Sequence, residues 1–362
     1  MPTAPMMSDH APLLRGPAGS LASWLYGLEI ARRNRRFDAG TGVVRLPIPV
    51  LSVGNLSVGG TGKTPLVALL AGGLTAGGIR CVIAMRGYAP RRSGGGRGRP
   101  EESDEARQYA ELCPGVPVVA NPDRASAVSA FLASADGSRT RCVILDDGFQ
   151  HRRLARDLDI VLLDASRDAF GDRLLPAGWL REPVAGLGRA HVVVATHAEM
   201  VGPDDLERLD RAVRAVRGSG LDGVARHAWR GLVGPEGERG VGWLRGKRVL
   251  AACGIGNPRG FLLAVREAVA PGGSVIGERA LRDHDAFTDQ TVDEIIRSAR
   301  AAKADAILVT EKDWAKLGSV GASRWPCAIL RPALELRFDA GRPLDAERLI
   351  ERAAGLVRDR SG

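Results

Sequence analysis

The chain has 362 residues and a net charge of +9, with 44% apolar and 26% charged residues, which is ordinary for a globular protein of about two domains. Its five cysteines include no C-x-x-C pair and most lie in apolar runs, which excludes a disulfide framework or a cysteine zinc site. No apolar run reaches about 18 residues, so we expect no membrane-spanning segment. The positive charge predicts an anionic partner: nucleic acid, an acidic membrane surface or a phosphorylated substrate.

The first predicted element is a helix that follows a loose tail of residues 1–17 and has Ser20 as its N-cap. Four apolar residues share one face of this helix: Leu21, Trp24, Leu25 and Leu28. A basic cluster follows: Arg32, Arg33, Arg35 and Arg36. This pattern is typical of an interfacial helix on anionic lipid, and equally of a helix packed on its domain with a solvated basic end.

The next stretch, residues 50–65, combines a β-branched apolar run, a glycine-rich turn and a helical pattern that opens with Lys-Thr-Pro. This is the strand–loop–helix context of a phosphate-binding loop, whose backbone N–H groups surround an anion at a helix N-terminus. Lys63 would reach the β- and γ-phosphates, and the Thr64 hydroxyl would bind Mg²⁺. The predicted nucleotide-binding residues are Ser57, Val58, Gly59, Gly60, Thr61, Gly62, Lys63 and Thr64. Ser57 replaces the usual first glycine, and the alternative is a glycine-rich turn with a chance Lys-Thr.

Strands and helices then alternate along the chain. The predicted strands are residues 80–85, 116–120, 142–145, 160–164 and 192–195, and the predicted helices are residues 104–112 and 122–133. A Gly/Arg run at 91–99 between them predicts a mobile basic loop. Alternation of this kind predicts an α/β fold of the P-loop NTPase type, with a doubly wound parallel sheet and ligands at the carboxyl ends of its strands.

Two adjacent carboxylates, Asp146 and Asp147, end one of these strands. In phosphate-loop enzymes a carboxylate at this position holds Mg²⁺ directly or through water. Aspartate after a strand is also common turn chemistry. A doubled aspartate followed by Gly-Phe-Gln-His is more than a turn requires, so we favour the metal site.

A polar, glycine-rich stretch at residues 231–246 predicts the junction to a second, smaller α/β domain. Its predicted strands are residues 249–253, 274–277, 306–309 and 328–330, and its predicted helices are residues 290–303 and 346–357. The sequence thus predicts an N-terminal tail and helix at 1–40, a P-loop domain at 41–235 and the second domain at 236–362.

Several motifs in one order make the chain similar to the tetraacyldisaccharide 4′-kinases, the lipid A 4′-kinases of Gram-negative bacteria. They are the loop at 54–65, Arg86-Gly87-Tyr88, residues 146–151, residues 175–183, Gly254-Ile255-Gly256-Asn257-Pro258 and Thr310-Glu311-Lys312-Asp313. The resemblance runs from about Trp24 to Leu344 and includes a serine at the position of Ser57. It implies transfer of the γ-phosphate of ATP, with Mg²⁺, to the 4′-hydroxyl of an acylated glucosamine disaccharide 1-phosphate.

The resemblance also implies roles for individual residues. Asp104 would accept the proton of the acceptor hydroxyl, with His284 assisting it. The nucleotide phosphates and the metal would lie near Arg124, Arg181 and Glu182. A third group would contact the base or ribose: Thr310, Glu311, Lys312 and Asp313. The chain departs from the family pattern at Met85 and Trp179, neither of which supplies a proposed catalytic group.

The implied substrate is an anionic amphiphile, which favours an anionic membrane surface as the partner of the N-terminal helix. The expected location is the cytoplasmic face of the inner membrane, as a peripheral protein, and no nucleic-acid partner is expected because no base-reading module is visible. The alternative function is a membrane-associated switch ATPase of the partitioning type. Those loops carry a signature lysine near the first glycine, whereas Gly59 and Gly60 have none before Lys63.

Overall fold

A computed structural model describes residues 14, 16–87, 104–255, 258–270, 272–281, 287–317 and 320–360, with only the backbone at 104 and 105. Within this part, residues 14–227 and 336–360 form one compact unit and residues 228–335 form another. The division differs from the predicted boundaries at 40 and 235, because the N-terminal helix and the C-terminal segment both belong to the first unit. Apolar residues of that segment, among them Leu349 and Ala353, complete a core beside the phosphate-loop helix.

The first unit begins with these helices and strands, in chain order: α1 (Gly16–Asp38), β1 (Val50–Asn55), α2 (Lys63–Ala76), β2 (Cys81–Met85), α3 (Asp104–Leu112), β3 (Val118–Ala120), α4 (Arg124–Ala133), β4 (Cys142–Asp146), β5 (Leu158–Asp164), β6 (Val192–Thr196), α5 (Pro203–Arg217) and β7 (Gly223–Gly234). Its strands are parallel and lie in the order β3-β2-β4-β1-β5-β6-β7. The central strand β1 is buried along its whole length.

Both faces of this sheet are covered, because successive side chains of a strand point to opposite sides. Leu51 and Val53 of β1 face one core with α2, α3 and the C-terminal segment. Val50 faces the other side, where α4 packs, and α5 covers β5 and β6 on that same side. The predicted doubly wound α/β sheet is therefore confirmed.

The second unit continues with β8 (Gly237–Arg239), β9 (Arg248–Cys253), α6 (Pro258–Val269), β10 (Ser274–Ala280), α7 (Asp289–Ala301), β11 (Ala306–Val309), α8 (Glu311–Leu317) and β12 (Ala328–Phe338), after which α9 (Ala346–Asp359) returns to the first unit. Strands β10, β9, β11 and β12 are parallel neighbours, whereas β8 pairs antiparallel with the end of β7. Cores on both faces, one with α6 and one with α7, confirm the smaller α/β domain.

Some element boundaries differ from the predictions. Helix α1 begins at Gly16, and Ser20 lies inside it with its hydroxyl donating to the Gly16 carbonyl at 3.2 Å, so it is not the N-cap. Helix α4 begins two residues later than predicted because the Asp123 carboxylate caps it, accepting from the Ser126 N–H at 3.2 Å. The Gly/Arg run at 91–99 lies outside the described residues.

Candidate active site

The glycine-rich loop joins β1, at the centre of the first sheet, to α2. Lys63 is the first residue of α2, and Gly62 before it has a φ of +78°, in the left-handed region. A Cβ at Gly62 would lie 2.7 Å from Nε2 of His227, so backbone conformation and packing both require glycine there. The predicted strand–loop–helix arrangement is present, and the N-terminal turn of such a helix is suited to binding an anion.

A second segment, residues 172–183, runs beside this loop and bonds to it. The Val58 N–H donates to the Trp179 carbonyl at 2.9 Å, and the Arg181 N–H donates to the Leu56 carbonyl at 2.7 Å. These bonds fix the loop before any ligand binds. They also bring the Arg181 side chain to the phosphate-binding loop, although the two segments are far apart in the sequence.

Asp147 lies between two cations at the end of β4. Its Oδ1 is 3.4 Å from Lys63 Nζ, and its Oδ2 accepts from Arg181 Nη1 at 2.6 Å. Burial raises the pKa of Asp147, but the charges of Lys63 and Arg181 outweigh it and hold that pKa below its ordinary value. Asp147 also has a φ of +51°, a costly conformation for a residue with a side chain, and such strain is concentrated at functional sites.

Arg124 is bonded to the backbone of the same turn. It is only 4% exposed, and its Nη1 donates to the carbonyl oxygens of Asp146 at 2.8 Å and Asp147 at 3.1 Å. Burial lowers the pKa of Arg124, against the influence of the two carboxylates. In this structure Arg124 therefore positions the backbone that carries Asp147, and its contact with a phosphate stays a prediction.

Glu182 is buried and has a partner on each oxygen. Gln150 Nε2 donates to Oε1 at 2.8 Å, and Arg189 Nη2 donates to Oε2 at 2.7 Å. The same Gln150 amide also donates to the Asn55 carbonyl at the end of β1, at 2.7 Å. Glu182 therefore ties the residues after β4 to the start of the loop, and its predicted contact with a metal is untested.

The residues predicted to hold Mg²⁺ are of the right chemical kind. Within the described part of the chain, no group of three or more His, Cys, Asp or Glu residues could form an all-protein metal cage. Mg²⁺ at a nucleotide commonly has one or two carboxylates, with water and phosphate oxygens completing its octahedron. Asp146 and Asp147 at the end of β4, with Thr64 in the first turn of α2, fit that requirement.

Most side chains of the motif at 310–313 bond to other residues of the second unit. Asp313 is fully buried, and its Oδ2 accepts from the Thr310 hydroxyl at 2.6 Å and from the Gly254 N–H at 2.9 Å. Glu311 pairs with Arg331 at 2.7 Å, whereas the Lys312 side chain is exposed. The motif thus joins the ends of β9 and β11, and contact with a nucleotide stays a prediction.

The predicted proton acceptor and its partner fall largely outside the description. Asp104 is the first residue of α3, but its side chain lies outside the described residues, as do His284 and its neighbours at 282–286. Gly256 and Asn257 of the other glycine motif are outside them as well. The pairing of Asp104 with His284 therefore remains a prediction.

The structure adds residues that sequence reasoning missed: Asp164, Arg167, His197, Glu199 and His227. Asp164 ends β5 and His197 directly follows β6, at the carboxyl edge where ligands bind in α/β sheets. His197 Nδ1 lies 3.2 Å from Asp164 Oδ1, and its ring stacks on that of His227 with centroids 4.4 Å apart. The only sequence signal was a polar residue at the end of each apolar strand.

Helix α1 has one packed and one exposed side. Tyr26 donates from its hydroxyl to the Arg181 carbonyl at 2.8 Å, and the Ser23 hydroxyl bonds to the Leu174 carbonyl. The exposed side carries the four predicted apolar residues, each with half or more of its surface exposed: Leu21, Trp24, Leu25 and Leu28. Within the described residues, no helix combines the length and apolar character needed to cross a membrane.

A parallel α/β sheet whose central strand leads through a glycine-rich loop into a helix that starts with Lys-Thr defines a nucleoside-triphosphate-binding protein of the P-loop class. A family model described as tetraacyldisaccharide-1-P 4′-kinase matches residues 18–351. The chain therefore belongs to the tetraacyldisaccharide 4′-kinase family, as its motifs predicted.

Individual relatives agree along nearly the whole chain. It is 38% identical to a tetraacyldisaccharide 4′-kinase of Anaeromyxobacter sp. (strain Fw109-5) over 86% of this chain and 84% of that one. It is 37% identical to that of Geobacter sulfurreducens, over 92% of both chains. The crystal structure of "apo" form LpxK from Aquifex aeolicus in complex with ATP matches with a TM-score of 0.68 and 30% identity, covering 93% of this chain and 98% of that one.

Proposed function

We propose that the protein is an ATP-dependent kinase that phosphorylates the 4′-hydroxyl of a tetraacylated glucosamine disaccharide 1-phosphate in lipid A biosynthesis. Family membership supports the reaction. The observation that carries the proposal is the cluster of Lys63, Asp147 and Arg181 beside a preformed phosphate-binding loop. Lys63 and Arg181 are the two cations of this cluster, and they can stabilise the negative charge on the γ-phosphate during its transfer.

The reaction joins the acceptor 4′-oxygen to the γ-phosphorus and breaks the bond from that phosphorus to the oxygen shared with the β-phosphate, so ADP leaves. Without nucleotide, the charges of Lys63 and Arg181 are satisfied by Asp147. With ATP in the loop, both cations lie close enough to turn toward the phosphates and stabilise charge on the transferring group. Mg²⁺, held by Thr64 and the Asp146–Asp147 pair, would neutralise the phosphate oxygens when bound.

The acceptor hydroxyl must lose a proton as it attacks. By family resemblance, Asp104 takes this proton and His284 assists it. Asp104 stands at the start of α3, which leads into β3, so it lies on the same side of β1 as β4 in the sheet order. This strand order supports a base on the side of the loop where Asp147 contacts Lys63 and Arg181.

The lipid substrate calls for contact with a membrane surface. The exposed side of α1 offers Leu21, Trp24, Leu25 and Leu28, with Arg32, Arg35 and Arg36 exposed at its C-terminal end. Apolar side chains that enter the acyl boundary, together with arginines at the headgroups, suit an anionic leaflet. We place the protein peripherally on the cytoplasmic face of the inner membrane, where ATP is available.

The proposal is tested by incubating the purified protein with ATP labelled in its γ-phosphate, Mg²⁺ and the purified disaccharide 1-phosphate in mixed micelles. Label should appear in the lipid at the 4′-position, and omission of Mg²⁺ should abolish it. ATP hydrolysis that is independent of the lipid and coupled to dimerisation would instead support the partitioning-type ATPase. No feature of the described residues favours that alternative.

A further inference from the structure

A second group of charged side chains lies on the other side of the phosphate-binding loop from Asp147. Asp164, at the end of β5, is 6% exposed and has a cationic or imidazole partner on each oxygen. Its Oδ1 is 3.2 Å from His197 Nδ1, and its Oδ2 is 3.5 Å from Arg167 Nε. One buried carboxylate therefore joins two side chains, one in direct contact with the loop and one linked to it through His227.

The first of these contacts reaches the start of the glycine-rich turn. Arg167 Nη1 donates to the Val58 carbonyl at 3.3 Å, and a Cβ on Gly59 would lie 3.0 Å from this nitrogen. The guanidinium also lies over the ring of Trp179, 5.7 Å from its centroid, while the Trp179 carbonyl accepts the Val58 N–H. Both backbone groups of Val58 are thus held, and Trp179, where this chain departs from the family pattern, takes part in holding them.

The second contact reaches the end of the turn, directly before Lys63. The ring of His197 stacks on that of His227, with centroids 4.4 Å apart and planes inclined by 25°. The Nε2 edge of His227 in turn packs against Gly62, leaving no room for a side chain there. The Thr196 hydroxyl, beside His197, donates to the Thr61 carbonyl at 3.0 Å. Gly62, which directly precedes the first residue of α2, is therefore packed against the His197–His227 pair.

We propose that Asp164, Arg167, His197 and His227 form a positioning network that fixes the phosphate-binding loop at Val58 and at Gly62 in the conformation that binds the phosphates of ATP. We call these four residues the Asp164 network. The inference rests on the proposed ATP-dependent function, because it assigns the network to the same nucleotide site. We assign these four residues a positioning role, without contact with the reacting atoms.

Electrostatics supports a charged His197 in this network. Burial lowers the pKa of His197, but the Asp164 carboxylate 3.2 Å away outweighs burial and raises that pKa above its ordinary value. The charged or titratable groups that face it are Asp164 on β5, Arg167 in the turn after β5, Glu199 on its own turn and His227 on β7.

The packing contact is tested by two substitutions at His227. His227→Ala removes the ring edge from Gly62 and should weaken ATP affinity about tenfold and lower kcat, since small misplacements of a phosphate loop are costly. His227→Phe keeps a ring of similar size and should retain ATP affinity within about threefold of the unchanged protein. The control is His191→Ala at the opposite end of β6, an exposed histidine that accepts from the Asp159 N–H at 2.9 Å.

Affinity for ATP, with Mg²⁺ present, is measured by calorimetry on the full-length protein, and folding is checked by thermal unfolding. Arg167→Gln, altered at a partly exposed side chain, provides a second variant should His227→Ala not fold. It should also weaken ATP affinity severalfold, because Val58 loses its side-chain donor. Unchanged ATP affinity in folded His227→Ala or Arg167→Gln would overturn the network.

The pH dependence separates positioning by a charged histidine from simple packing. ATP affinity of the unchanged protein should fall as the pH rises through the raised pKa of His197, since the charged form holds Asp164. In Asp164→Asn this fall should move to lower pH, whereas His191→Ala should follow the unchanged protein. An identical pH profile in Asp164→Asn would refute the charge on His197. Failure of the unchanged protein to bind ATP would instead refute the proposed function.

Discussion

The two sides of the phosphate-binding loop each place an aspartate at the carboxyl end of a buried strand, yet they use it differently. The Asp147 side chain is 30% exposed, and its partners Lys63 and Arg181 are side chains that can turn toward a ligand. The Asp164 side chain is 4% exposed; its partner Arg167 bonds to the loop directly, and its partner His197 reaches the loop through His227. Exposure thus separates a carboxylate that can exchange its partners from one that holds a structure.

The largest effect is expected from removing Lys63, one of the two cations that contact Asp147. Lys63→Ala should lower kcat on the order of 10³-fold or more, because Lys63 neutralises charge that grows on the transferring phosphate. The fold should be unaffected, since Lys63 lies in an exchangeable pair. Phosphorylation of the lipid is measured beside Arg208→Ala, an exposed arginine of α5. A folded Lys63→Ala protein with near-normal turnover would remove the loop from the chemistry.

A second prediction concerns the proton transfer from the acceptor hydroxyl, which we assign to Asp104 and His284. Asp104→Ala and His284→Ala should each lower kcat on the order of 10²-fold with little change in the KM for ATP, because neither residue holds the nucleotide. If both act on one proton transfer, the double variant should be much less impaired than the product of the single effects. Steady-state kinetics of the three variants decide this. A double variant equal to the product would show that the two residues act separately.

A third prediction concerns α1, which joins the Asp147 side through the bond from Tyr26 to the Arg181 carbonyl. Replacing Trp24 and Leu25 with serine leaves that bond in place and should reduce binding to anionic vesicles about tenfold or more. High salt should weaken binding of the unchanged protein because it screens the arginines. Vesicle sedimentation is the measurement, with Leu263→Ser, exposed on the second unit, as the control.

Deletion of residues 1–38 should also move the protein from the membrane fraction to the supernatant. This deletion removes Tyr26 as well, so it tests attachment less cleanly than the serine variants. If neither the serine substitutions, nor the deletion, nor high salt changes vesicle binding, α1 is only a packing element.

The last expected effect is on stability, and it sharpens the contrast between the two carboxylates. Asp164→Asn should cost on the order of 3 kcal/mol because it breaks a buried charge pair, whereas Asp147→Asn should cost about 1 kcal/mol or less. The cation partners hold the pKa values of both Asp147 and Asp164 below the ordinary value, against burial, which raises them. Their stabilisation is therefore complete above about pH 4 and is lost as the pH falls through the lowered pKa values.

Thermal unfolding measured from neutral pH to about pH 2 checks this prediction. The difference in melting temperature between Asp164→Asn and the unchanged protein should shrink at the acid end, because the Asp164 carboxyl group is then neutral, as the asparagine amide always is. A constant difference across that range would mean that Asp164 stabilises the fold by shape and not by charge.

The sequence alone predicted the fold class, the phosphate-binding loop and the family. These depend on short-range patterns, since an apolar run, a glycine-rich turn and Lys-Thr-Pro at a helix start dictate the local conformation from Val50 to Pro65. The Asp146–Asp147 pair was also visible, because its two members are adjacent and end an apolar strand. What these patterns did not contain was any partner for Asp147.

Only the tertiary structure decided which distant side chains meet. Asp164, His197 and His227 come together because β5, β6 and β7 are neighbours in the sheet, an order that no local pattern prescribes. The return of α9 to the first unit and the burial of Asp313 were hidden for the same reason. Hydrogen bonding within a helix or turn depends on nearby residues, whereas pairing across strands depends on the arrangement of the whole sheet.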